Sequence, residues 1–245
     1  MTAGPIIKLS LRSSGLAQSH KEEIAYSSLR AFVSSCAKIF CLPFRAARRM
    51  TKLRPDLQII ADNITPGSRV LDIGCGDGAL MAALRDEKGC DARGLEIDPV
   101  NVASAVGKGL SAAQGDADTD LATYPDGSFD YAVLSQTLQT THRPDVMLDQ
   151  LLRIGQQAFV SFPNFAHWRV RSSLMFGGRM PVTRLIPQSW YDTPNIHHVT
   201  IDDFRALVQD GKYAQEGQWF LSGDKQTGRG MANLLAEHAV FLLRG

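Results

Sequence analysis

Apolar residues first fall into a regular pattern at Leu57. In "DLQIIADNI" they recur every three or four residues, the period of an amphipathic helix, and "TPG" ends the run. "SRVLDIG" is a continuous apolar run of strand length, the pattern of a strand covered on both faces of a parallel sheet. "GALMAALRDEKG" returns to helical spacing, with Gly89 as its stop signal. The alternation continues. "ARGLEID" reads as a strand, "PVNVASAVGKG" as a short helix opened by Pro99, and "SAAQGDAD" as a weak third strand. "FDYAVLSQTLQ" reads as a strong fourth strand, "RPDVMLDQLLRIG" as a helix, and "QAFVSFPNF" as a fifth strand. The pattern breaks between about Ala166 and Ile196, where Pro, Gly, Arg and aromatic residues mix. It resumes at Thr200, which with Asp203 fits a capping box for "IDDFRALVQDG". "EGQWFLSG" and "AVFLLRG" close the chain as strands. Strands alternating with helices at this spacing predict βαβ units around a mostly parallel sheet, with helices on both faces.

The first 49 residues do not follow this pattern. They are rich in Ser, Lys and Arg, and Glu22 and Glu23 are their only acids. Leu29, Phe32, Val33, Cys36 and Phe40 recur at helical spacing. Two readings fit: a targeting leader, or a bland one, a loosely attached extension or codons upstream of a true start at Met50. The second is preferred, so residues 1–49 are set aside. Residues 50–245 are expected to form one domain with a lid-like insertion at about 166–196.

Composition narrows the class. The chain has 245 residues, 44% of them hydrophobic, enough for one sizeable core. A net charge of +1 argues against a globally basic nucleic-acid binder. Cys36, Cys41, Cys75 and Cys90 form no CxxC pair and no zinc-type cluster, so they read as reduced thiols of a cytoplasmic protein, and no metal is expected. No apolar run approaches the ~20 residues that span a membrane.

The candidate chemistry lies in "VLDIGCGDG", residues 70–78. Glycine tolerates positive φ and lets a ligand approach the main chain, and a Gly-rich strand-to-helix turn aims free N–H groups at it. Gly74, Gly76 and Gly78 stand beyond the carboxyl end of a strand, where open α/β sheets bind ligands. Gly74 to Ala79 also satisfies the dinucleotide pattern GxGxxA, with Glu96 at the distance of a ribose-binding acid. Alone, the loop is ambiguous between NAD and another adenosine ligand. Asp72, ahead of the first glycine, would repel a pyrophosphate and suits an ammonium group. Asp116, after the third strand, can accept from an adenine amine. Ser135 and Gln136 end the fourth strand beside the same crevice.

In order and spacing, "VLDIGCGDG", "GLEID", "QGDAD" and "FDYAVLSQTLQ" resemble the motifs of class I S-adenosylmethionine-dependent methyltransferases, from about Ser68 to Phe165. "RPDLQIIADNITPGSRVLDIGCGDG", "SQTLQ", "FVSFPNFAHWRVR", "GRMPVT" and "WYDTPNIHHVT" resemble the methionine-biosynthesis MetW family, over roughly Leu53 to Val208. The resemblance implies a single Rossmann-like α/β fold with a seven-stranded sheet, its last strand antiparallel. It implies S-adenosylmethionine or S-adenosylhomocysteine as ligand and a MetX-type homoserine O-acyltransferase as partner. It also implies roles for particular residues. Asp72, Gly74 and Gly76 would hold the methionyl end, and Cys75 and Gly78 would shape the loop. Glu96 would accept the ribose hydroxyls and Ile97 would pack on the adenine. Asp116 and Ala117 would read the adenine edge, and Ser135 and Gln136 would line the methyl-donor mouth.

Catalysis would need a base only if the methyl acceptor must lose a proton. His167, His197 and Tyr191, with His198 and Asp192 nearby, are weak candidates from the irregular segment. Between Phe162 and Tyr191 that segment carries Arg169, Arg171, Arg179 and Arg184, interleaved with Trp168, Phe176 and Trp190 and without an acid, the composition of interface anchors. Three functions follow: an auxiliary of methionine biosynthesis that binds the methyl donor, a small-molecule methyltransferase using the same ligand, and an NAD enzyme that Asp72 disfavours.

Overall fold

The computed structural model describes residues 53–183 and 186–245. The leader, with Cys36 and Cys41, lies outside them, as does Arg184.

Five parallel strands form the first part of the sheet: β1 (Arg69–Ile73), β2 (Asp91–Glu96), β3 (Ser111–Gln114), β4 (Phe129–Ser135) and β5 (Gly155–Pro163). β6 (Ala214–Ser222), β7 (Lys225–Gln226) and β8 (His238–Arg244) complete it in the order β3-β2-β1-β4-β5-β8-β6-β7. β8 runs antiparallel to both β5 and β6, as expected of the last strand. The seven expected strands become eight. β7 is a two-residue strand folded back on β6, and Gly223 at the turn has φ +59°. The Gly223-Asp224 pair between them is a two-residue hairpin turn. β7 is too short to show a hydrophobic pattern of its own.

Alternate side chains of the buried strands serve opposite faces. On one face Val70, Tyr131, Val133, Phe159 and Val240 pack against α1 (Pro55–Asn63) and α2 (Ala79–Lys88) through Leu57, Ile60, Leu80 and Leu84. On the other, Leu71, Ile73, Leu134, Val160, Phe162 and Phe241 pack against α5 (Pro144–Ile154) and α7 (Ile201–Asp210). α3 (Pro99–Gly107) and the one-turn α4 (Ala117–Asp120) link β2 to β3 and β3 to β4. Thr200 caps α7 as expected, its Oγ accepting from the Asp203 N–H at 3.1 Å.

The stretch read as irregular holds a ten-residue helix, α6 (Trp168–Gly177). His167 caps its start and Gly178, at φ +61°, ends it. Only Val170 of this helix is buried, so it has no apolar stripe by which periodicity could reveal it. A last short helix, α8 (Ala232–Leu235), precedes β8. Among the described residues no helix is long and apolar enough to cross a membrane.

Candidate functional site

β1 and β4 are neighbours, and the connections from their carboxyl ends leave in opposite directions, to β2 and to β5, which opens a crevice there. Leu53, Arg54, Leu57, Asp72, Gly74, Cys75, Gly76, Asp77, Ala79, Leu80 and Ser135 line a cavity of about 250 Å³ at this point.

Asp72 is the penultimate residue of β1 and 2% exposed. Among the described residues its carboxylate makes no hydrogen bond. Burial pushes its pKa up to about 7, the Arg54 guanidinium pulls it down, and Glu96 adds a smaller push upward. A buried acid without donors is costly unless something arrives to pair with it. Cys75 beside it is a neutral thiol, its pKa pushed up to about 12 by burial and by the charges of Asp72 and Glu96.

The glycine loop works differently from the expectation of free N–H groups. Gly74 and Cys75 both donate to the Leu95 carbonyl, Gly76 donates to the Glu96 carboxylate at 2.7 Å, and Gly78 donates to the Cys75 carbonyl. These four N–H groups are engaged within the protein, so at the glycines the loop offers close approach to the main chain. Gly74 (φ +71°) is irreplaceable on two counts, because a Cβ there would also stand 2.3 Å from the Thr137 hydroxyl. Gly78 does not line the cavity. It is the left-handed entry residue of α2, and a Cβ on it would strike Leu110.

The remaining sites predicted from sequence run along the ends of β2 and β3. Glu96 is buried. One carboxylate oxygen accepts from Gly76 and the other from Asp98 N–H at 3.0 Å, which leaves each a further lone pair. The Gly115 N–H donates to the Glu96 carbonyl, so β3 delivers Asp116 and Ala117 beside β2. Asp116 caps α4 with one oxygen, accepting from the Asp118 N–H at 2.9 Å. Ile97 is 64% exposed next to these acids.

Ser135 joins a polar knot that sequence reasoning missed. Asp56, in the first turn of α1, is buried, and one of its oxygens accepts from Ser135 and Ser161 Oγ at 3.0 Å and from Gln136 Nε2 and Arg54 Nη2 at 3.3 Å. Arg54 Nη2 also donates to Ser135 Oγ at 2.8 Å. Gln136 holds φ +53°, rare for a residue with a side chain, and it binds the knot rather than the cavity wall. Arg54 is thus fixed at the mouth of the cavity, half-exposed, by β4 and α1 together. The available signal was "RPD" at the start of the helix before the glycine loop, with Pro55 as a helix opener.

The three candidate bases are not brought to the cavity. His167 is a buried helix cap, its Nδ1 accepting from Arg169 N–H at 3.3 Å, and burial lowers its pKa. His197 lies with its Nε2 3.4 Å from the His142 carbonyl oxygen. Tyr191 is exposed and packs edge-on against Trp190.

The site can hold a ligand with an ammonium, a carboxylate and a diol. Asp72 offers a buried carboxylate, Arg54 a guanidinium, and Glu96 a carboxylate with a lone pair left on each oxygen.

Comparison with known proteins agrees with this architecture. The family model described as "Methionine biosynthesis protein MetW" matches residues 54–243. The bifunctional methionine biosynthesis protein MetXA/MetW of Rhodopirellula baltica is 34% identical over 165 residues, which are 64% of this chain and 26% of that protein. This chain therefore spans about a quarter of that relative's length. A SAM-dependent methyltransferase structure from Archaeoglobus fulgidus is 16% identical, with a TM-score of 0.59 over 77% of this chain and 91% of that one. An S-adenosylmethionine-dependent methyltransferase structure from Mesorhizobium loti is 18% identical, with a TM-score of 0.55 over 78% and 96%. At such identities the likeness shows the fold.

Proposed function

The chain belongs to the methionine biosynthesis protein MetW family, and on that premise we propose that it binds S-adenosylmethionine or S-adenosylhomocysteine and supports methionine biosynthesis by assisting a homoserine O-acyltransferase. The observation that carries the ligand is the buried, donor-free carboxylate of Asp72 with the Arg54 guanidinium in the same cavity. That pair suits an α-amino acid, cation to anion at both ends. Glu96 then takes the ribose hydroxyls, Ile97 covers one adenine face, and Asp116 and Ala117 meet the adenine edge. Gly74 and Gly76 let the nucleoside lie close to the main chain. Ser135 and Cys75 border the sulfur, while Gln136 and Gly78 act behind the wall as supports. Bound S-adenosylmethionine would supply an electrophilic methyl group.

A methyltransferase at this cavity would suit only an acceptor that need not lose a proton to one of the three candidate bases, and the preference for an auxiliary rests on the fused relative. Asp56, the acid nearest Ser135, already accepts from Arg54, Ser135, Gln136 and Ser161, so it is committed as a structural acceptor. His167, His197 and Tyr191 lie outside the cavity lining. The fused relative, which carries both MetXA and MetW in its name, supports association with an acyltransferase. Co-expression with the homoserine O-acyltransferase of the same organism tests that role. The expected result is a complex with higher acylation activity than the acyltransferase alone. An acyltransferase equally active with and without this chain contradicts the assisting role.

A further inference from the structure

We propose that segment 168–196 is the face that docks the acyltransferase, and that the partner surface it meets is acidic with recesses for aromatic side chains. This rests on the proposed assisting role and adds where and how the contact is made.

Fourteen large apolar side chains are exposed among the described residues, and eight of them fall in this segment. They include Trp168, Met175, Phe176, Val182, Trp190 and Tyr191, with Phe176 81% exposed. Such clustering marks an interaction surface, whereas scattered exposed residues would need no explanation. The segment is also anchored. Phe165, Val170 and Ile186 form a small core of their own beneath it. Phe165 N–H bonds the Val199 carbonyl at 3.0 Å, and the Ile196 and His197 N–H groups both bond the Gln139 carbonyl. A face held at its root keeps its aromatic side chains presented and reduces the ordering cost of binding.

Charge selects the occupant. Residues 166–191 contain arginines and no Asp, Glu or Lys. Arg169 lies over the Trp168 ring at 5.4 Å with its Nη1 3.7 Å from Glu237 Oε1, and Arg171 Nε donates to the Ala166 carbonyl, so two of the cations are held in fixed positions and Arg179, among the described residues of the face, remains a free charge. In a two-fold self-association the same patch meets itself, so arginine would face arginine with no acid from the patch between them. A partner of opposite charge removes that repulsion and gives Arg its planar carboxylate acceptors. Membrane-surface binding draws on clusters of four to eight basic residues, often lysines, whereas residues 166–191 carry four arginines and no lysine, the lower end of that range. Arginine and tryptophan are enriched as hot spots of protein interfaces.

The test measures binding of the full chain to the acyltransferase by calorimetry, for the wild type, the double variant Phe176→Ser/Trp190→Ser, and Arg179→Glu. Binding of S-adenosylhomocysteine to each variant reports whether the fold is intact. Each variant is expected to bind the acyltransferase at least tenfold more weakly and to keep its nucleoside affinity. Variants that bind the acyltransferase like the wild type would place the contact elsewhere while leaving the assisting role standing. A wild type that fails to bind the acyltransferase at all would remove the assisting role, and this face with it. Variants that lose only self-association, or only binding to phosphatidylserine vesicles, would give the face to a second copy or to a membrane.

Discussion

Asp72 sets the behaviour of the site at the scale of single residues. Its pKa rises from 3.8 to about 7, chiefly by burial. Between those values the folded protein keeps a proton that the unfolded chain has released. That contribution to stability is whole below about pH 4 and is lost as pH climbs to about 7. Asp72→Asn mimics the protonated form, so its melting temperature should match the wild type at or below about pH 4 and exceed it by a growing margin up to pH 8. The same variant should lose affinity for S-adenosylhomocysteine at pH 8, where the ligand's ammonium would otherwise neutralise the acid. A wild-type melting temperature that rises from pH 5 to 8 relative to the variant would reverse this account. Arg54 gives a second prediction. Arg54→Leu should weaken S-adenosylhomocysteine at least tenfold and leave methylthioadenosine, which lacks the amino-acid group, unchanged. Equal losses for both would move Arg54 away from the carboxylate. The positions of Asp72 and Glu96, at the carboxyl ends of β1 and β2, were legible in sequence because each stands at a fixed place in a strand-turn-helix motif. Arg54 and Asp56 were not, because their role depends on Ser135 and Ser161, 81 and 105 residues further along the chain.

At the scale of elements, the strands and helices that bury one face or two were readable from their periods. α6 was not, since caps hold it while burial contributes little. β7 was announced only by a hairpin dipeptide. The glycine loop was readable as a place, but not its internal bonding, in which Gly74, Cys75, Gly76 and Gly78 donate to Leu95, Glu96 and Cys75. The tolerance of the loop for side chains differs from one glycine to the next. Gly74→Ala meets both positive φ and Thr137 and should lower stability by a few kcal/mol, measured by denaturant unfolding. Gly76→Ala has open space around its Cβ and meets only the φ penalty, about 1 kcal/mol. Equal costs at the two positions would show that Thr137 yields freely. Thr200→Ala removes the cap of α7 and should cost about 1 kcal/mol by the same measurement.

For the whole molecule, the described residues place one crevice at the switch point of the sheet and one apolar, arginine-bearing face on the segment between β5 and α7. A ligand that binds only the folded state stabilises it, by about 2.7 kcal/mol at a hundred times Kd. Saturating S-adenosylhomocysteine should accordingly raise the melting temperature, and more at pH 8 than at pH 5, because the ligand then relieves the ionised Asp72. The central claim is that the crevice receives an amino-acid-bearing nucleoside. Titration calorimetry at pH 8 with S-adenosylmethionine, S-adenosylhomocysteine and NAD tests it most directly. Saturable binding of the first two, weakened by more than 1 kcal/mol in Glu96→Ala, with no heat from NAD, is the predicted result. Binding of NAD in preference to both would contradict it.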